Sequence, residues 1–305
     1  MTATPTSTRS RWRPDTSAAL ACVLAALVIA AGAAESPVRV VVSAAPVRPG
    51  TVVAVRVVSA APLESVTARV FDREFRFYPE DGGRVWRGLV GVDLSTEPGK
   101  YSLTVEAKGS APVARGLVVR PGNFPERRIT VDDRFVNPPA DVLERIRREA
   151  ERVDAIWAAT TPARLWKRFV MPVRGEPSSS FGKLSIVNGK PGSRHSGTDF
   201  DAAAGEPVHA PAAGRVVLAE DLYYSGNSVI LDHGLGLYSA LFHLSRIAVR
   251  PGDMVEPGAT VGAVGATGRV TGPHLHWSVR LAGARVDPLS LVAAVRPSVR
   301  PPATR

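Results

Sequence analysis

The sequence predicts a mainly β protein in three parts: a β-sandwich, a connecting α-helix and a compact C-terminal domain built as a β-sheet or barrel. Three observations predict it. Short runs such as Thr51–Val58 and Tyr101–Glu106 alternate apolar and polar residues with the period of a strand. Turn signals at Pro49-Gly50, Asp81-Gly82-Gly83, Pro98-Gly99, Pro251-Gly252 and Pro257-Gly258 punctuate them, and Pro followed by Gly suits a type II turn. Between these β-rich parts, Leu143, Ile146, Ala150, Val153, Ile156 and Trp157 recur at helical spacing. The 305 residues are about two ordinary domains, and 45% apolar with 22% charged residues is a globular balance, so disorder is excluded for most of the chain. The single cysteine, Cys22, excludes a disulfide framework and a thiolate zinc site. Histidines and carboxylates are left as the metal-binding set.

Residues 1–34 read as a targeting segment. Arg9, Arg11 and Arg13 precede an uncharged, Ala-rich stretch from Thr16 to Ala34, and Ala31-Gly32-Ala33 offers a small-x-small cleavage pattern. The stretch is close to the roughly 20 residues that span a bilayer, so an uncleaved membrane anchor stands beside a cleaved signal peptide. Either places the rest of the chain outside the cytoplasm. The residues around Cys22 match a lipid-attachment pattern poorly. Removing the segment takes away three arginines and Asp15, and lowers the formal charge from +10 to +8. A basic exported protein meets anionic wall polymers and lipid headgroups. There is no run of five or six like charges of the kind that marks a nucleic-acid arm, so nucleic acid is not an expected partner.

Residues 35–122 are assigned to the sandwich, an Ig-like spacer without a cluster of titratable groups. Phe75, Phe77 and Tyr78 read there as half-buried strand residues rather than a ligand platform. Residues 123–168 form a helical linker, with Asp141 as N-cap after Pro138-Pro139 and an Arg-rich face turned to solvent. Residues 169–295 make the C-terminal β domain. Residues 296–305 lack periodicity and read as a frayed tail.

The histidines carry the chemistry. His195-Ser-Gly-Thr-Asp199 sets an imidazole and a carboxylate four residues apart, and His274-Leu-His276 sets two imidazoles on one face of an extended strand. A catalytic zinc takes three such ligands and keeps a fourth position open. Spacing alone leaves open which of the four side chains bind.

Taken together, His195-Ser-Gly-Thr-Asp199-Phe200, Leu241-Phe-His243-Leu-Ser245 and Gly272-Pro-His274-Leu-His276-Trp277 resemble the three signatures of the lysostaphin-type zinc metallopeptidases, which cut peptidoglycan peptides. Asn227–Gly234 and Val255–Gly262 match the usual framework, and the resemblance covers roughly residues 169–295. It implies one Zn2+ per chain bound by His195, Asp199 and His276, with His243 and His274 as catalytic residues beside the open position. It also implies an exported endopeptidase acting on peptidoglycan, at a stem peptide or a cross-bridge. One of the two catalytic histidines would take the proton of a zinc-polarised water while the other stabilises the tetrahedral intermediate. Leu241 departs from the family's frequent aromatic residue, with an expected effect on the groove wall. His233 reads as a turn residue or a support for a ligand, His209 as a solvent-facing loop residue, and Gly182–Lys190 as a mobile loop before the first ligand. Two rival readings are a non-catalytic wall-binding scaffold or hydrolase activator, and a phosphate-carrier relative, which an export signal opposes.

Overall fold

Side-chain alternation shapes the N-terminal sheets of the computed structural model, which describes residues 38–296 apart from 44, 45, 131 and 133–135. The targeting segment at 1–34 and the tail from residue 297 therefore lie outside the described residues. Eight strands come first: β1 (Arg39–Val42), β2 (Val52–Val58), β3 (Val66–Val70), β4 (Arg73–Arg76), β5 (Tyr78–Glu80), β6 (Val85–Gly91), β7 (Gly99–Ala107) and β8 (Val113–Val119). They pair in two sheets of order β1-β2-β6-β5 and β4-β3-β7-β8. Alternate residues of β2, β3 and β7 point inward, so Val55, Val57, Ala68, Leu103 and Val105 are buried in one core. Phe75 and Phe77 are fully buried rather than half-buried, because both turn into that core; Tyr78 stays half-buried.

The connecting segment is more than a helical linker. Strand β9 (Glu126–Ile129) precedes helix α1 (Ala140–Ala158) and runs parallel to a strand some sixty residues further on. Pro139, not Asp141, occupies the N-cap of α1, and no side chain caps it. Asp141 sits in the first turn, where its charge still suits the helix dipole. Val153, Ile156 and Trp157 pack on the C-terminal domain, whereas Leu143 and Ala150, expected on the same face, are exposed. Part of the Arg-rich face is engaged: Arg145 pairs with Asp221 at 2.9 Å, and Arg152 with Glu220.

The remaining elements are β10 (Pro177–Ser179), β11 (Leu184–Val187), β12 (Lys190–Arg194), β13 (Gly197–Phe200), β14 (Pro207–His209), β15 (Gly214–Leu222), β16 (Gly226–Gly234), β17 (Leu237–Ile247), β18 (Met254–Val255), β19 (Thr260–Val264), β20 (Leu275–Leu281), β21 (Ala284–Val286) and helix α2 (Pro288–Val295). Ten of these strands form one sheet whose main path is β10-β13-β20-β17-β16-β15-β18. Its central strands are buried at nearly every position, because one face joins the main core and α1 covers part of the other. Gly182–Lys190 is not a mobile loop. It enters a hairpin of β11 and β12 whose two-residue turn, Asn188-Gly189, has φ of 48° and 81°, as a type I′ turn requires. That hairpin and β9 make a separate three-stranded sheet of order β12-β11-β9.

The N-terminal sheets rest on β20, β21 and α2. Gly91 of β6 lies so near β21 that a Cβ there would meet Val286 at 3.0 Å. Asp93 accepts from Arg285 at 2.6 Å and from the Arg285 backbone N–H at 2.8 Å. Burial alone would raise the Asp93 carboxyl, but the hydrogen bonds from Arg285 and Ser95 overcome it and hold the pKa well below the usual range. Arg164 lies 3.9 Å from the centre of the Tyr78 ring, which meets Trp166 edge-on. Among the described residues no helix is long and apolar enough to cross a membrane.

Candidate metal centre

Strand pairing brings the distant histidine segments together. On the antiparallel pair β13–β20, Asp199 lies directly opposite His276, and on the other side of β20 Phe242 of β17 lies opposite His276. Cross-strand neighbours share a face, so the carboxylate, the imidazole and a nearly parallel Phe242 ring, 5.6 Å from that of His276, form one row. His195 enters from the turn between β12 and β13. Gly197 lets β13 approach, because a Cβ there would lie 2.5 Å from Nε2 of His276.

Three atoms converge. Nε2 of His195 is 2.9 Å from Oδ1 of Asp199 and 3.0 Å from Nδ1 of His276, and that Nδ1 is 2.8 Å from the same Oδ1. The three residues are 8%, 6% and 9% exposed, so the cluster is nearly dry. The surrounding bonds assign the protons. Nδ1 of His195 donates to the Ser180 carbonyl at 3.1 Å, which leaves its Nε2 bare. The Ser278 hydroxyl donates to the Ser196 carbonyl at 2.8 Å, so its oxygen accepts from Nε2 of His276 at 3.2 Å and leaves Nδ1 of His276 bare. Two bare nitrogens and a carboxylate oxygen thus face one another without a proton between them. Their spacing is close to the roughly 3.3 Å between two ligands of a tetrahedral ion bound at about 2.0 Å. The donor set therefore fits a divalent cation of borderline softness. Burial lowers the pKa of His276 despite the neighbouring Asp199.

His243 and His274 lie against the cluster. Their rings are 5.0 Å apart, and Nε2 of His274 is 3.8 Å from Oδ1 of Asp199. Each donates from Nδ1 to a carbonyl at 2.9 Å, His243 to Thr267 and His274 to Gly272, so each Nε2 is bare. His243 has φ of +65°, and the β16–β17 register slips beside it, from Asn227↔Leu244 to Val229↔Leu241. Such a bulge re-aims a side chain, at about 1–3 kcal/mol of backbone strain. Burial, then the neighbouring His276 and His274, push the pKa of His243 down to about 3, so the imidazole is neutral at neutral pH.

The structure thus brings together all five predicted site residues. Leu241 does not reach the groove wall: it is wholly buried opposite Trp277, on the other face of β17. His233 lies in β16 away from the cluster, with both ring nitrogens bonded, to the Ala213 carbonyl at 2.8 Å and the Ser239 hydroxyl at 2.9 Å. His209 ends β14, half-buried rather than on a solvent-facing loop, beside a second cavity of about 720 Å3 that Val173, Glu176 and Val292 also line. The residues missed by sequence reading are the supports Ser278, Thr267 and Ser180, since no motif marks a lone hydroxyl or a carbonyl.

Comparison with known proteins locates a match to the model of peptidase family M23 at residues 193–288. A crystal structure of a candidate peptidase M23 from Pseudomonas aeruginosa is 35% identical, with a TM-score of 0.65 over 82% of this chain and 96% of that one. The peptidoglycan DD-endopeptidase ShyA of Vibrio cholerae is 42% identical over 93 residues, 30% of this chain and 22% of ShyA. The DD-carboxypeptidase/endopeptidase Mpg of Neisseria meningitidis is 39% identical over 97 residues, 32% of this chain and 22% of Mpg. The matched stretch thus spans about a fifth of the length of these curated relatives.

Proposed function

The chain belongs to peptidase family M23, the lysostaphin-type family, and from that premise we propose that it is an exported zinc metalloendopeptidase of the cell envelope that hydrolyses peptide bonds in peptidoglycan. The observation that carries the proposal is the set of bare nitrogens and the carboxylate of His195, Asp199 and His276, held by their outer hydrogen bonds in a form that suits a metal and not a proton. Zinc bound there would act as a Lewis acid and lower the pKa of a coordinated water to about 7. His195 and His276, neutral, and Asp199, anionic, would leave the site at a net charge of +1, favourable to a developing oxyanion. His243 and His274 share the proton work. Each presents a bare Nε2 to the cleft, so one accepts a proton of the attacking water and, as the imidazolium, passes that same proton to the leaving amine as the C–N bond breaks. The Thr267 and Gly272 carbonyls keep both rings in the accepting tautomer until that transfer. The names of ShyA and Mpg support peptidoglycan as substrate. The basic N-terminal stretch supports action outside the cytoplasm, with a membrane anchor if it is retained.

The test is incubation of the zinc-loaded full chain with purified sacculi. Native protein should carry about one zinc and release soluble muropeptides whose masses name the bond, and His276→Ala should release none. Native protein that carries its zinc and releases nothing would overturn the proposal in favour of a wall-binding scaffold.

A further inference from the structure

The cleft that opens onto the site is about 740 Å3 and has cations on both rims. Lys190 and Arg194 stand on β12, the edge strand of the hairpin sheet, and Arg269 stands on the loop between β19 and β20. The carboxylates lining it are Asp199, already committed to His195 and His276, and Asp201. The cations differ in readiness. Arg194 donates to the Gly182 carbonyl at 3.2 Å and lies 5.4 Å from the Phe124 ring, so it serves the base of the hairpin. Lys190 is a flexible point charge on an exposed strand.

Arg269 is exposed, leans on an aromatic ring and makes no ion pair among the described residues. Its backbone N–H donates to the Tyr224 carbonyl at 2.8 Å, and its guanidinium lies 4.8 Å from the centre of the Tyr224 ring. Gly268, at φ +75°, makes the close turn possible: a Cβ there would meet the Gly226 nitrogen at 2.4 Å. Two residues earlier Thr267 holds His243, so one loop orients both side chains. A guanidinium held on an aromatic ring keeps its edge donors free, and that planar fork matches a carboxylate in two parallel hydrogen bonds.

Building on the peptidase reading, we propose that Arg269 is a specificity residue that binds a free carboxylate of the peptide being cut, so that the cleft selects anionic peptides over amidated ones. The experiment uses cross-linked muropeptide dimers prepared from sacculi, as isolated and after carbodiimide amidation of their carboxylates, with zinc-loaded full chain. Native protein should favour the unmodified dimer by tenfold or more in kcat/KM. Arg269→Gln should bring the unmodified dimer down to the amidated level, chiefly through KM, and leave the amidated dimer unchanged. Arg269→Lys should retain part of the preference, as charge without the fork. Equal cleavage of both dimers by native protein would overturn the role of Arg269 alone, as would a uniform loss in Arg269→Gln, which signals a displaced His243 loop. Native protein that cuts neither dimer would overturn the peptidase reading itself and this inference with it. The native comparison needs no variant, so equal cleavage of the two dimers overturns the role of Arg269 even if a substitution fails to fold.

Discussion

Among the described residues, the buried polar ones of the N-terminal half are Ser59 and Asp93, which flank its strands, whereas between residues 185 and 278 eleven more are buried, among them His195, Asp199, His233, His243 and His276. The N-terminal core is set by Val, Leu and Phe side chains whose only demand is to leave water. The ten-stranded sheet instead holds ring nitrogens, hydroxyls and carboxylates that each need a partner of defined direction. One region is therefore built to be stable, and the other gives up stability to hold a reactive geometry. Asp93 is the telling exception, because its partner Arg285 belongs to the C-terminal half.

The strongest way to break this contrast is a pair of substitutions. His276→Ala should abolish zinc binding and bring muropeptide release below detection, a loss of roughly 1,000-fold or more and so at least about 4 kcal/mol of transition-state stabilisation, while leaving the melting temperature of metal-free protein unchanged or higher. Leu103→Ala, at a wholly buried position, should do the reverse: about 3 kcal/mol lost in urea unfolding, with kcat at the native level. If the two variants gave the same pattern, the division of labour would be wrong.

Acid should act next most strongly, and through the C-terminal half. Burial holds the pKa of His233 at about 4, against 6.5 in the unfolded chain. The folded form stays neutral while the unfolded form takes up a proton, so this stability is complete above pH 6.5 and is lost as the pH falls from 6.5 towards 4. The loss approaches about 3 kcal/mol. Urea melts at pH 7 and pH 4.5 should show a smaller drop for His233→Gln than for native protein; an equal drop would remove His233 as the cause.

A third substitution probes the seam between the regions. Asp93→Ala leaves Arg285 without its carboxylate at a partly solvated site, so about 2 kcal/mol of stability should be lost with kcat unchanged. A matching loss of kcat would mean that the N-terminal sheets shape the catalytic cleft directly.

Much of this contrast was legible in residue patterns, and what was hidden has physical reasons. Period-two alternation gave the strands around Val52–Val58 and Gly99–Ala107 because each has one wet face. The segment 182–190 reads as a loop although Asn188-Gly189 suits the turn it forms, because Pro191-Gly192 beside it breaks the alternation of β12, and its neighbour β9 comes from a segment that carries no strand pattern. Helix α2 is absent from that reading: the Asp287-Pro288 start precedes a uniformly apolar run, and without periodicity such a run does not separate helix from buried strand. The ligand candidates were visible in their spacing. The left-handed His243 was not, since a bulge depends on the register of two strands. Nor was Asp93–Arg285, a contact between residues 192 apart.

The finest test of the contrast is a hydroxyl. Ser278 lies opposite Gly197 on β20 and accepts from Nε2 of His276 while donating to Ser196, so it fixes which nitrogen of the ring faces Asp199. Ser278→Ala removes no ligand and one oxygen atom. The His276 ring can then carry its proton on either nitrogen, and only one form leaves Nδ1 free to bind metal. Zinc affinity should fall roughly tenfold, about 1.4 kcal/mol, by competition with a chelating indicator, while kcat at saturating zinc stays near the native value. If affinity were unchanged, Asp199 and the β13–β20 pairing alone would be enough to hold the ring, and the hydrogen bonds of the C-terminal half would be following the geometry rather than setting it.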